Sequence, residues 1–372
     1  MKQDVRNGIV LLILGALALL FVLAGCSTDA EPVGSSDPPE DTGLYFPAPQ
    51  RFATWDTTEP AALGWNAAAE AELDAYLDSK GTKAFLILKN GRIAKETYFG
   101  SFTKDSVWYW ASAGKTLTAF CTGLALQENL LQLEDPTADY LGSGWTSAPA
   151  EKEALIQIRH QLTMTTGLDD TAFDCVIPGC LQYTEDAGQR WAYHNGPYTL
   201  LQSVISQAAS EPFANFFNSR LRDVIGMEGF WFSTNGSNNV YFSTARSMAR
   251  FGLLVLAEGS WDDTPVLDLP DYMEQMTSTS QALNKSYGYL WWLNGKDSFR
   301  VPGTQVQFPG NLIPNAPGDL YAGLGKNDQK LYVVPSLDLV IVRMGEDAGE
   351  NLAGPSSFDN ALWEKINAFI GR

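Results

Sequence analysis

The sequence predicts an α/β (α+β) fold: an antiparallel sheet with flanking helices, built from both chain ends, and an inserted, mainly helical lobe. Four short segments have the pattern of strands: 83–89, 92–99, 329–334 and 337–343. Asn90-Gly91 separates the first two and accepts the positive φ angles of a tight hairpin turn. The residues over about 116–300 show mainly helical spacing. Because strands lie at both ends with helices between, we expect the two ends to pair into one sheet.

Length and composition set the broad class of protein. The chain has 372 residues, of which 45% are hydrophobic, and a formal net charge of −18. This composition supports a real core, and the length favours two lobes over one. We place an α/β lobe at about 49–115 and 310–372, and the helical lobe at about 116–309. A nucleic-acid binder is not expected, because affinity for the phosphate backbone comes mainly from Lys and Arg.

The N-terminus has the pattern of an export signal. A positively charged start is followed by an apolar run over 9–23 and by small residues before Cys26. The alternative is a transmembrane anchor, because the apolar run is long for a signal peptide. The four residues ending at Cys26, Leu-Ala-Gly-Cys, resemble the lipobox of bacterial lipoproteins. That resemblance implies removal of residues 1–25, lipid attachment at Cys26 and anchoring at the cell envelope, on its periplasmic or extracytoplasmic face. Interleaved acidic residues and prolines then predict a flexible tether over 26–48.

Helical spacing predicts the main helices, which in chain order are 61–77, 113–131, 182–210, 243–258 and 358–370.

Cysteine use fits an exported protein. Cys175 and Cys180 enclose only four residues, so we expect a local disulfide where the environment is oxidising. Cys121 lies in an apolar helical run and is expected to be a small buried hydrophobe.

Ser112 and Lys115 form a Ser-x-x-Lys motif at the start of an apolar helix. At helical spacing the amine reaches the hydroxyl, and the helix N-terminus adds unpaired N–H groups and a positive dipole end. A desolvated Lys acts as a general base near neutral pH. The motif alone also fits a helix N-cap followed by a surface Lys. A phosphate loop is excluded, because Tyr109 occupies the required glycine position, and the copy at Ser101 and Lys104 lacks an apolar helix and is typical of an exposed turn.

Tyr193-His194-Asn195 supplies the remaining groups. In an extended loop, residues two apart point the same way, so a phenol for proton transfer and an amide face one site. The amide can hold the Lys amine and a substrate carbonyl, while His194 points toward solvent or the cleft. His160 and His194 are the only histidines, and no Gly-x-Ser-x-Gly or zinc-ligand spacing occurs. Neither a His-based triad nor a metal nor another cofactor is expected.

The order of these motifs resembles the serine β-lactamase and penicillin-binding protein superfamily, over about residues 50–370. The motifs follow as helix, hairpin, Ser-x-x-Lys, the Leu-Thr-Met-Thr-Thr-Gly-Leu segment at 162–168, Tyr-x-Asn and a late glycine-bearing strand. The branch that the chain resembles most is that of class C β-lactamases and the related esterases and aminohexanoate-oligomer hydrolases. The resemblance implies these roles: Ser112 is the acylated nucleophile, Lys115 its base, Tyr193 the proton shuttle, and Asn195 the group that orients them.

The family's third motif, a Lys-Thr-Gly triplet on the sheet edge, is absent from this chain. The matching place is Gly-Leu-Gly at 323–325, followed by Lys326. The resemblance then implies an oxyanion hole made by the backbone N–H groups of Ser112 and Lys326, beside Gly325. Because the missing Lys normally helps to bind the β-lactam carboxylate, we expect less efficient β-lactam hydrolysis, unless Lys326 substitutes for it.

These observations predict a membrane-tethered serine hydrolase that cleaves an ester or amide through an acyl-enzyme on Ser112, with Lys115 and Tyr193 as the acid-base pair. The expected substrate is a small-molecule or short peptide-like ester or amide. Two alternatives stay open. One is a true β-lactamase or D-Ala-D-Ala carboxypeptidase, and the other, of a different class, is a catalytically inactive binding or scaffold lipoprotein at the envelope. The intact trio argues against the second, because a pure binder has no need to keep it.

Overall fold

The computed structural model describes residues 43–50, 53–234, 238–349 and 354–372. The predicted signal peptide, the lipid-attachment residue Cys26 and most of the predicted tether lie outside the described residues. Among the helices described, none combines the length and the apolar character that a bilayer crossing requires. Residues 43–372 group into one compact unit, to which the following description applies.

Ten helices and thirteen strands are formed by the described residues. The helices are α1 Ala67–Ser79, α2 Lys115–Gln127, α3 Ala138–Leu141, α4 Ala150–Glu153, α5 Ile158–Leu162, α6 Asn195–Ala209, α7 Phe213–Phe217, α8 Ala245–Leu256, α9 Pro270–Met276 and α10 Ser357–Ile370. The strands are β1 Thr82–Lys89, β2 Arg92–Tyr98, β3 Trp108–Tyr109, β4 Phe230–Thr234, β5 Asn238–Ser243, β6 Ser260–Trp261, β7 Thr264–Pro265, β8 Trp292–Leu293, β9 Ser298–Phe299, β10 Phe308–Pro309, β11 Tyr321–Gly325, β12 Gln329–Val334 and β13 Leu339–Gly345.

A six-stranded antiparallel sheet in the order β2-β1-β13-β12-β11-β8 organises the fold. β1 and β2 are the predicted hairpin, and β12 and β13 are the predicted second strand pair. β1 pairs with β13, and Ile87 lies opposite Ile341. The prediction that the two ends of the chain meet in one sheet is therefore confirmed.

Helices cover both faces of this sheet, so every residue of β12 and β13 is buried. Leu331 faces α8, where Gly252 permits a close approach: a Cβ there would lie 2.8 Å from the Leu331 side chain. Tyr332, one residue on, faces the opposite side, and its ring meets Trp363 of α10 edge-on at 5.7 Å. α1 packs beside α10 on that face.

A buried ionic cluster ties α10 to the sheet. Lys330 Nζ lies 3.1 Å from Asp328 and 2.9 Å from Asp359, and the Tyr332 hydroxyl donates to Asp359 at 2.5 Å. Lys330 and Asp359 are almost completely buried. Removing one partner of such a pair typically costs roughly 3–5 kcal/mol, because the other charge is left uncompensated. The cluster therefore fixes the position of the C-terminal helix.

Two predicted helices are shorter in the structure. In the segment 61–77, Gly64 takes a φ of 71° and ends a 3₁₀ turn, so α1 begins only at residue 67. In the segment 182–210, only α6 is helical. Gly188 takes a φ of 86°, and the preceding residues bond back to the Gly167 carbonyl, which holds this stretch as a loop. That loop leads into the Tyr-x-Asn segment.

The predicted lobe boundaries also need correction. The mainly helical region supplies β4 and β5 to a three-stranded sheet in the order β3-β5-β4, and the helical prediction missed these two strands. β8 joins the six-stranded sheet, although it lies well before residue 309, the predicted end of the helical lobe. The chain therefore returns to the sheet earlier than predicted.

The tether predicted over 26–48 extends too far, because its last residues pack against the fold. Tyr45 donates its backbone N–H to the β1–β2 turn at 2.9 Å. The ring of Phe46 meets Trp261 edge-on at 5.3 Å. Arg250 donates to the two carbonyls that follow, at 3.4 and 3.0 Å. These contacts place the start of the folded chain by residue 45.

Candidate active site

Ser112 lies in the 3₁₀ turn Ala111–Gly114, which joins β3 to α2. Trp110 fixes the start of this turn. It is completely buried, its indole N–H donates to Ser243 Oγ at 2.7 Å, and its backbone N–H donates to the Tyr241 carbonyl at 2.9 Å. Ser112 is only half-buried, whereas the residues after it are buried. The turn therefore presents one partly accessible hydroxyl at the beginning of a buried helix.

Lys115, the first residue of α2, directs its amine at this hydroxyl. Lys115 Nζ donates to Ser112 Oγ at 2.8 Å. The amine also lies 4.7 Å from the ring centroid of Tyr193 and 4.1 Å from that of Tyr198. The side chain is 1% exposed, and no carboxylate in the described part of the chain lies within 4 Å of the amine. The geometry is that of a buried amine next to a partly accessible hydroxyl, and it differs from a helix cap followed by a surface Lys.

Burial governs the protonation of Lys115. Its pKa is lowered well below the ordinary value because the charged form loses its hydration, and the negative charge of Asp174 acts in the opposite direction. The sign favours the neutral amine, which is the form that can accept the serine proton. Lys115 therefore has the position that a general base needs, and the direction of its pKa shift favours the form that accepts a proton.

Tyr193 reaches the same hydroxyl from the loop before α6. Its side chain is 1% exposed, and its phenol lies beside Ser112 and the Trp292 indole. The ring stacks between Trp292, at 5.5 Å and 25°, and Phe173, at 6.1 Å and 24°. Burial raises the pKa of Tyr193, so the phenol stays protonated near neutral pH. The structure thus brings together the hydroxyl, the amine and the phenol.

Asn195 is buried, as the first residue of α6, but its amide contacts a group that the sequence did not predict. Its Nδ2 donates to Asp174 Oδ1 at 2.6 Å, and its Oδ1 has no partner among the described residues. That oxygen is free to accept from an amine or a substrate N–H. His194, expected to face solvent or the cleft, is instead 2% exposed, and burial lowers its pKa.

β11 packs its glycines against the turn that carries Ser112. A Cβ on Gly325 would lie 2.4 Å from the Trp110 carbonyl oxygen, so only glycine fits at this position. A Cβ on Gly323 would lie 3.3 Å from the Ala113 carbonyl oxygen, which is a tight contact but not a clash. Lys326 follows on an exposed turn. The late glycine-bearing strand therefore lies directly beside the serine.

The other predicted residues have structural positions. Cys175 and Cys180 are joined in a disulfide, and Cys121 is a free, buried thiol. His160 Nδ1 accepts the backbone N–H of Gln157 at 3.0 Å in the cap of α5, and burial lowers its pKa to about 4. Within the residues that the structure describes, no group of three or more His, Cys, Asp or Glu side chains is arranged to hold a metal ion.

The aromatic stack and the Asp174 carboxylate are parts of the site that sequence reasoning missed. Phe173 and Asp174 precede Cys175 in a segment without periodicity, and Trp292 lies about 100 residues after Tyr193 in the chain. Nothing in their spacing relates them to Ser112. The disulfide prediction was the one sequence feature that drew attention to this segment.

Comparison with known proteins gives three kinds of match. Residues 70–359 match the model of the Beta-lactamase family. A curated protein of uncharacterised function from Alkalihalophilus pseudofirmus is 25% identical over 322 residues, covering 76% of this chain and 88% of that protein. Solved structures match over most of the chain at lower identity.

Three of these structures illustrate the shared fold. "Putative 6-aminohexanoate-dimer hydrolase" from Bacillus anthracis has a TM-score of 0.65 at 19% identity, covering 86% of this chain and 88% of its own. A "putative beta-lactamase" from Bacteroides dorei has a TM-score of 0.65 at 16% identity, covering 83% and 100%. "Beta-lactamase/D-alanine Carboxypeptidase" from Yersinia pestis has a TM-score of 0.59 at 16% identity, covering 82% and 100%. At these identities the likeness concerns the fold.

Proposed function

The chain belongs to the beta-lactamase family, and from this premise we propose that it is a serine hydrolase that cleaves an ester or amide through an acyl-enzyme on Ser112. One observation carries the proposal: a buried amine, whose pKa is lowered by burial, lies 2.8 Å from a partly accessible serine hydroxyl, with the buried Tyr193 phenol at the same site. A hydroxyl is a weak nucleophile until a neighbouring base takes its proton.

In the acylation step, the Ser112 proton passes to the Lys115 amine while Oγ attacks the substrate carbonyl. The carbonyl oxygen gains negative charge, and Tyr193 gives its proton to the leaving alcohol or amine as that bond breaks. Tyr193 recovers a proton from the Lys115 ammonium, whose Nζ lies 4.7 Å from the Tyr193 ring centroid. In the second step water attacks the acyl-enzyme, with the same groups acting in reverse.

We propose that backbone N–H groups stabilise the oxyanion. The register between β8 and β11 indicates which N–H groups are available for this. Asn294 donates its N–H to the Leu320 carbonyl, so even-numbered residues of β11 direct their backbone groups toward β8. β8 begins at Trp292, opposite Ala322, and no strand residue in the described chain faces the next even-numbered position, Leu324. Leu324 is the last even-numbered residue of β11, so its N–H joins that of the predicted Lys326, which follows the strand, as a proposed partner of the Ser112 N–H.

The proposed substrate is a small-molecule or short peptide-like ester or amide. The chain lacks the Lys-Thr-Gly triplet, whose Lys, by the family resemblance, helps to bind a β-lactam carboxylate. The exposed Asp174 carboxylate and the net charge of −18 also disfavour an anionic substrate. The predicted lipid at Cys26 would hold this activity at the cell envelope, and it stays a prediction.

A substrate panel tests the proposal. Wild type, Ser112→Ala and Ser101→Ala are compared on a nitrophenyl ester, a nitroanilide amide and a chromogenic cephalosporin. We expect Ser112→Ala to lose turnover by about a thousandfold or more. Ser101→Ala, which changes the exposed serine of the second Ser-x-x-Lys, should keep wild-type rates. Ester and amide turnover that persists in Ser112→Ala would refute the proposal, and faster turnover of the cephalosporin would favour the β-lactamase alternative.

A further inference from the structure

The segment 173–180, closed by its disulfide, lies directly against residues 193–196. We name the first the disulfide loop and the second the catalytic segment. Its first residue, Phe173, stacks on the Tyr193 ring and accepts the backbone N–H of Asn195 at 3.0 Å. The Cys175 carbonyl approaches Gly196 so closely that a Cβ there would lie 2.1 Å from the oxygen. The Cys175–Cys180 bond closes the loop that makes these contacts. Phe173 and Cys175 therefore anchor the disulfide loop to the catalytic segment.

Asp174 lies between these two anchoring residues of the disulfide loop. Its Oδ1 accepts from Asn195 Nδ2 at 2.6 Å, a short bond of the charge-assisted kind. It is also the carboxylate whose charge acts on the Lys115 amine, although it makes no ion pair with it. One exposed side chain thus touches the orienting amide and influences the base.

Among the described residues, most groups around the Lys115 amine are uncharged. Ser112 meets it from the same turn, and the rings of Tyr193 and Tyr198 meet it from the catalytic segment and from α6. Burial raises the pKa of both tyrosines, so both are neutral near neutral pH. Among the described residues, Asp174 is the charged group that acts on the amine. When Lys115 accepts a proton, the new cation has little water to stabilise it.

We propose that Asp174 is a positioning residue for acyl transfer: it holds the Asn195 amide in place and supplies the counter-charge for the ammonium that Lys115 becomes. The inference rests on the proposed function, since it concerns the step in which the Ser112 proton moves from Oγ to Nζ. No bond to Asp174 forms or breaks. Its negative charge raises the pKa of the Lys115 amine, against the larger effect of burial, and so favours the protonated form.

Asp174→Asn separates the charge from the hydrogen bond, because its amide oxygen can still accept from Asn195. We expect kcat/KM for a nitrophenyl ester to fall about tenfold on the high-pH plateau. The acid limb of the profile of kcat/KM against pH should move to lower pH, because Lys115 without the counter-charge is a weaker base. Asp174→Ala should show the same movement and a larger rate loss. Asp169→Asn, the same change on a carboxylate that accepts from Thr171 in the same region, should keep the wild-type profile.

The pH profile decides between this role and a merely structural one. An Asp174→Asn enzyme whose acid limb stays at the wild-type position overturns the inference, even if its rate falls. Melting temperatures of the three variants show whether a rate loss comes from unfolding. If Asp174→Ala does not fold, the test rests on Asp174→Asn. Labelling with a fluorophosphonate keeps the two proposals apart. Absence of label on wild-type Ser112 refutes the proposed function. If wild-type Ser112 is labelled but the acid limb of the Asp174→Asn pH profile stays at the wild-type position, only this inference is refuted.

Discussion

Replacing Lys115 with alanine is expected to lower kcat/KM for ester hydrolysis by about a thousandfold or more at neutral pH. The substitution removes the only amine within hydrogen-bonding distance of Ser112 Oγ in the described residues, and general bases contribute roughly 10²–10⁴-fold to such reactions. Acylation is the step that should fail, so the pre-steady-state burst with a nitrophenyl ester should disappear. Stopped-flow measurement of that burst checks the expectation.

The chain offers a matched control for this substitution. Lys104→Ala removes the lysine of the other Ser-x-x-Lys, an exposed side chain that lies 3.9 Å from Asp105. It should leave the burst unchanged. A full burst in Lys115→Ala would show that some other group takes the serine proton, and the assignment of the base would be wrong.

The pH dependence of the wild-type enzyme follows from the same residue. Burial lowers the pKa of Lys115 well below the ordinary Lys value, so the amine is neutral above that lowered pKa and protonated below it. Activity should therefore be lost as the pH falls through the lowered pKa, and not at the alkaline pH where an exposed Lys titrates. A kcat/KM profile that rises only near the ordinary Lys range would contradict a buried, neutral base.

Tyr193→Phe is expected to have the second largest effect, and the effect should depend on the leaving group. The ring keeps its stacking between Phe173 and Trp292, so the fold of the site should remain. A nitrophenolate leaves without a proton, whereas an amine leaving group needs one. We expect about a hundredfold to a thousandfold loss of kcat for amides and a clearly smaller loss for nitrophenyl esters.

Tyr287→Phe is the control for Tyr193→Phe. Tyr287 is a completely buried neighbour whose ring meets that of Tyr193 at 6.1 Å, and its hydroxyl has no partner among the described residues. Removing that hydroxyl should leave amide hydrolysis unchanged. Equal losses on esters and amides in Tyr193→Phe would show that the phenol acts before the leaving-group step, and its role as the shuttle would be wrong.

Local patterns predicted the parts of the fold that local interactions decide. Asn90-Gly91 predicted the first hairpin, and two short, largely apolar segments near the C-terminus predicted β12 and β13. The helix predicted over 182–210 was too long because tertiary contacts hold its first half as a loop. Those contacts, such as the bonds to the Gly167 carbonyl, join residues far apart in sequence and leave no periodic signal.

The same dependence on tertiary contacts explains which parts of the site were predicted from the sequence and which were not. Ser112 and Lys115 are one helical turn apart, so their meeting could be deduced from spacing. The Tyr193 phenol was assigned from motif order, and its position between Phe173 and Trp292 depends on side chains from other elements. Asp174 gave no signal, because a carboxylate in an irregular loop is common. The backbone partner of the Ser112 N–H depends on strand register, which sequence alone does not specify.

Every role proposed for the site depends on Ser112 being the residue that becomes acylated, and intact-protein mass spectrometry followed by peptide mapping identifies that residue. The enzyme is exposed to a fluorophosphonate in parallel with Ser112→Ala. We expect one adduct per chain, located on the peptide that contains Ser112 and absent from the variant. An adduct on another residue, or an adduct of equal yield on Ser112→Ala, would show that the nucleophile is a different group.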